Sequence, residues 1–70
     1  MVMRKVQDLT QLYGTMVAIK TIDDEIYFGI LIKVFVNRHY VDVILSGHRF
    51  TLNDLDNICT LSEWKENNKH

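Results

Sequence analysis

The stretch from Met16 to Leu52 leaves few folds open, because three short polar breaks divide it into apolar runs that alternate with period two. The breaks fall at Asp23-Asp24, Asn37-Arg38 and Ser46-Gly47, where small polar side chains or glycine tolerate the positive φ of tight hairpin turns. A two-residue turn at each break predicts Ile19 against Phe28, Val17 against Ile30, Val34 against Val41, Ile32 against Val43, Val43 against Phe50 and Val41 against Leu52. Because successive strand side chains point to opposite faces, this register gathers Val17, Ile19, Phe28, Ile30, Ile32, Val34, Val41, Val43, Leu45, Phe50 and Leu52 into one apolar layer.

The same register assigns Met16, Ala18, Lys20, Tyr27, Gly29, Leu31, Lys33, Phe35, Tyr40, Asp42, Ile44, Arg49 and Thr51 to the other face. There Lys33 is expected opposite Asp42 with Arg49 diagonal to it, a small cross-strand ion-pair ladder. Met16, Leu31, Phe35, Tyr40 and Ile44 surround that ladder with apolar surface. A mixed face of this kind predicts burial by a partner or by an element of the chain itself, with Lys33 and Arg49 setting polar specificity towards a partner. Gly29 opposite Ala18 is a place for the strand to bend.

The flanks complete a single small domain over residues 1–70. Val2, Val6, Leu9, Leu12 and Tyr13 recur at steps of three and four, which predicts a helix over about residues 2–13 that Gly14 stops. After Leu52, Asn53 or Asp54 can start a turn, Leu55 and Ile58 point to the core, and Ile58 to Leu61 suffices for a fifth strand returning to the first. The expectation is a mainly β fold: an N-terminal helix, then a four- to five-stranded antiparallel meander over about residues 16–61 closing into a small barrel. Trp64 would cover one barrel end, and residues 65–70 form a polar tail.

Composition excludes several functions. A formal net charge of −1 argues against a broadly basic, phosphate-gripping surface, and 47% hydrophobic with 24% charged residues describes a globular chain. Cys59 is the only cysteine, so no intrachain disulfide forms, which suits a reducing cytoplasm. The first residues lack the apolar run of a signal peptide, and no stretch approaches a membrane span; a cytoplasmic location is expected. A chain of 70 residues buries only about 60% of the surface its unfolded state exposes, so oligomerisation is a natural route to stability.

Catalytic chemistry finds few candidates. Asp23, Asp24 and Glu25 read as a solvated turn, His39 and His48 lie at opposite strand ends where they cannot share a metal, and Cys59 has no histidine placed to activate it. No enzyme, cofactor or metal is expected. A weak interleaving of basic and aromatic residues, among them Lys20, Tyr27, Arg38 and His39, is the pattern a nucleic-acid surface would use.

Asp23, Tyr27, Gly29 and Leu31 stand where Sm-type sequences carry an acidic turn residue, an aromatic, a bend glycine and an aliphatic. With the run from Phe50 to Ile58 they give the chain a resemblance to the Sm-like (Hfq-like / YolD-like) small β-barrels, spanning about Gln7 to Leu61. The resemblance implies an SH3-like barrel and assembly through edge strands, with Asn37, Arg38 and His39 in the first RNA-binding loop and Asn53 in the second. The expected function is therefore a non-catalytic interaction or regulatory module that self-associates and binds a protein partner. The alternative is an Sm-like riboregulator or RNA chaperone. A Pro-free chain rich in Ile, Asn and Lys is of a type associated with phages and mobile elements.

Overall fold

The structure, a computed structural model, describes residues 9–67. A 3-10 turn at Thr10–Leu12 leads into strands β1 (Met16–Lys20), β2 (Ile26–Val36), β3 (Val41–Leu45) and β4 (His48–Leu52). A second 3-10 turn at Leu55–Asn57, strand β5 (Ile58–Thr60) and helix α1 (Leu61–Asn67) complete the chain's described part. All strand pairs are antiparallel, in the order β4-β3-β2-β1-β5.

Strand β2 departs from the simple register twice. The first hairpin turns over three residues, not two: the Thr21 amide donates to the Glu25 carbonyl at 2.9 Å and the Asp24 amide to the Thr21 carbonyl at 3.0 Å. Asp24, with φ of 63°, takes the left-handed position that closes such a loop. The extra residue slides β2 by one, so Val17 faces Gly29, Ala18 faces Phe28 and Ile19 faces Tyr27. A one-residue slip exchanges the two faces. Leu31 is accordingly buried at 0% exposure, while Phe28 and Ile30, expected in the core, are 48% and 40% exposed.

The second departure reverses the first. Leu31 pairs with Leu45 but Lys33 with Ile44, so Ile32 is an extra residue, a β-bulge. Beyond it the even-numbered residues face inward: Val34 pairs with Val43 and Val36 with Val41. Ile32, also expected in the core, is 51% exposed. The next turn has Arg38-His39 at its tip, closed by the Asn37 amide donating to the Tyr40 carbonyl at 2.9 Å. This shifts the expected pairing of β2 with β3 by two residues, which preserves the face. The third hairpin keeps the sequence register, with Val41 against Leu52, Val43 against Phe50, and Gly47 at φ of 86°.

The core comprises Leu9, Val17, Ile19, Leu31, Val34, Val41, Val43, Leu45, Leu52 and Ile58, with Leu12, Phe50 and Leu55 packed against it. A Cβ on Gly29 would sit 3.1 Å from Leu45 Cβ, tighter than side chains ordinarily pack, so the Leu45 side chain uses the space that glycine leaves on β2. The sheet is not closed into a barrel. Three-residue β5 pairs with β1 alone, β4 ends the other side, and the Ile22 amide reaches the Thr51 carbonyl at 3.2 Å as a single bridge from the first hairpin to β4.

Both flanks also depart from expectation. Residues 2–8 of the expected N-terminal helix lie outside the described residues, and Thr10–Leu12 form a short 3-10 turn where the last turn of that helix was expected. Tyr13 is extended (φ −59°, ψ 130°), and its hydroxyl accepts the Val34 amide at 3.1 Å, satisfying an N–H where β2 outruns β1. At the other end, a helix replaces the expected tail through Asn67. Thr60 and Glu63 form a reciprocal capping box, each backbone amide donating to the other's side-chain oxygen at 3.1 Å.

The bulge makes a test of side-chain direction. Leu31→Ala is expected to destabilise by about 2–5 kcal/mol in urea unfolding, and the neighbouring Ile32→Ala by under ~1 kcal/mol. Regular alternation without the bulge and the longer turn would give the opposite order.

Candidate interaction surface

The slip and the bulge together move apolar side chains outward. Along the outer face of β2 run Ile26 (42% exposed), Phe28, Ile30 and, at the bulge, Ile32; Met16 (43%) stands beside Ile30 on β1. At roughly 3.3 Å per residue this row is about 20 Å long. Its five side chains expose ~400 Å² of apolar surface, the size at which patches on small proteins are often functional. One end meets the acidic turn Asp23-Asp24-Glu25, where Asp24 pairs with Lys20 at 3.4 Å. The other end meets Lys33, whose ammonium lies 5.0 Å from the centre of the Phe35 ring.

Helix α1 covers part of the same face. It lies against β1 and β5, and Trp64 meets Phe28 edge-on with ring centroids 4.9 Å apart. Such edge-to-face packing favours the pair beyond its buried area. Phe28 nonetheless keeps nearly half its surface exposed, so the helix borders the row without closing it.

Next to the row sits a polar cluster on β3 and β4. Asp42, 5% exposed, accepts from Arg49 Nη2 at 2.6 Å and from Thr51 Oγ1 at 3.0 Å. The diagonal Arg49–Asp42 pair of the sequence register is present. Lys33 is not its third member, because the shifted pairing sets Phe35 opposite Asp42 and Lys33 opposite Ile44. Arg49 hydrogen bonding, aided by Thr51, holds the Asp42 carboxyl below its ordinary range against a desolvation that opposes it.

A groove of about 340 Å³ lies at another end of the molecule, between the β2–β3 turn and the segment after β4. It brings Arg38, His39 and Tyr40 together with Asn53, Asp54 and Asp56. Asp54 is turned onto its own loop, accepting the Asp56 amide at 3.0 Å.

The residues expected to bind a partner therefore divide. Met16, Lys33, Phe35 and Arg49 are exposed on the outer face and Ile44 is half-buried there. Tyr40 belongs to the groove, and Leu31 is core. Of the nucleic-acid candidates, Arg38 and His39 share the groove while Lys20 lies on the outer face. Tyr27 stacks on Phe50 on the inner side with centroids 4.6 Å apart, its hydroxyl donating to Glu25, which raises its pKa. Ile26, Phe28, Ile30 and Ile32 were not legible as surface, because the residue that lengthens the first turn carries no glycine to mark it. The Thr60-x-x-Glu63 spacing, by contrast, is a sequence signature for α1.

Among the described residues, no helix is long and apolar enough to cross a membrane. No cluster of three or more histidine, cysteine or carboxylate side chains there could hold a metal ion. Comparison with protein-family models, curated proteins and solved structures finds no match, so nothing in it bears on the Sm-like resemblance.

The depressed Asp42 pKa has a sign. Its contribution to stability is present above the unfolded carboxylate pKa and is lost as pH falls through the lower folded value. Asp42→Asn is expected to flatten the fall of the urea midpoint between pH 5 and the acid limit, leaving a lower, more pH-independent midpoint.

Proposed function

We propose that this chain is a non-catalytic interaction module that acts by docking the outer face of its sheet onto a protein partner. The exposed apolar row Ile26, Phe28, Ile30 and Ile32 with Met16 carries the reading. A chain in water gains nothing in folding from leaving these side chains exposed. A well-packed core already occupies the other face. Charged and aromatic groups at both ends of the row provide the polar rim that surrounds the apolar centre of an interface.

The groove supports a second reading, nucleic-acid binding, because it gathers Arg38, His39 and Asn53 from separate segments. Asp54 and Asp56 line it as well, which disfavours a phosphate backbone. Binding through this groove would fall steeply with salt, whereas docking through the apolar row would change little.

A photo-crosslinking side chain placed at Ile30 distinguishes the readings. Protein adducts are expected from that position in cells and not from Asn53 in the groove. Nucleic acid crosslinked at Asn53, with no protein adduct at Ile30, would overturn the docking reading.

A further inference from the structure

The charges at the two ends of the apolar row are opposite, and that decides what fits against it. At the hairpin end Asp23 and Asp24 are exposed, and Asp23 forms no ion pair among the described residues. At the far end Lys33 and, on the adjoining turn, Arg38 are exposed and have no carboxylate partner among the described residues. A line of apolar side chains with acid at one end and base at the other is complementary to itself when reversed.

We infer that the partner for this face is a second copy of the chain, packed outer face to outer face about a two-fold axis passing near Ile30. The inference rests on the docking reading above. In this arrangement the rows cross antiparallel, and Asp23 of each copy, seven residues before Ile30, approaches Arg38 of the other, eight residues beyond it. The interface is isologous, so each charge contact occurs twice. Two sheets meeting face to face interdigitate their side chains at about 10 Å separation, which suits a row of Ile and Phe. The row exposes ~400 Å², and Lys20, Lys33 and Phe35 at its rim bring the face towards the ~800 Å² per partner of a standard interface. A net charge of −1 leaves little long-range repulsion between copies. Helix α1 bounds the interface on one side, with Trp64 and Phe28 forming its edge.

The purified chain, studied by native mass spectrometry and sedimentation equilibrium, is expected to be a dimer. Ile30→Asp should yield a monomer with an unchanged far-ultraviolet circular dichroism spectrum. Arg38→Glu and Asp23→Lys each place like charges together twice and are expected to weaken the dimer ~10-fold. Combined, they should restore affinity to within about threefold of the unaltered chain. These two positions are exposed and outside the core, so they test the arrangement even if Ile30→Asp does not fold. A dimer that survives Ile30→Asp, a double variant no tighter than the single ones, or a closed ring of more copies would overturn the two-fold arrangement. A monomer at all concentrations would overturn it too. If that monomer still gave adducts to a different protein from Ile30 in cells, the face would remain a docking surface and only the second copy would fall.

Discussion

Parity along a single strand controls this molecule. Strand β2 runs for 11 residues, serves as neighbour to β1 in its first half and to β3 in its second, and must present an apolar face to the core throughout. The three-residue turn before it and the bulge at Ile32 each displace the alternation by one. Together they leave the far sheet in the phase that a plain meander would have given, while the residues between them are turned over. Leu31 goes in; Phe28 and Ile30 go out. Burying the wrong set would strand leucine in water and leave the interior unfilled, a cost of several kcal/mol.

That inversion creates the candidate surface. Had β2 kept the simple register, its outer side would have carried Tyr27, Gly29 and Leu31, a smaller and interrupted patch. In the fold as it stands, three isoleucines and a phenylalanine line one side of a strand. The neighbouring Asp42–Arg49–Thr51 cluster keeps the adjoining part of the face polar, since both Asp42 oxygens are engaged and its charge is held. The outer face therefore changes character at the bulge, from an unbroken apolar row to a mixed region of Lys33, Phe35 and the Asp42 cluster.

Much of this was legible in the sequence. Glycine at position 47 marked the third hairpin, and Val41, Val43, Phe50 and Leu52 paired as their alternation indicates. The existence and order of four strands came from the polar breaks, and the fifth, with its pairing to β1, came from Ile58 onward. Local backbone geometry escaped. Asp24 adopts a left-handed conformation that aspartate tolerates but does not announce, and the bulge sits in an unbroken run, Gly-Ile-Leu-Ile-Lys-Val, in which Ile32 could serve either face equally well. Sequence carries hydrophobicity well and strand phase poorly when apolar residues stand on both sides. Closure fails for a related reason: a three-residue β5 supplies one neighbour to β1, and the chain then turns into α1 at the Thr60 cap.

Trp64 is the only tryptophan of the chain, and its ring lies edge-on to Phe28 at the border of the apolar row. Indole emission shifts to the blue as its surroundings lose water. The protein thus carries its own optical reporter at the rim of the face, sensitive to whatever settles there, with no dye or label to disturb a surface built from so few side chains.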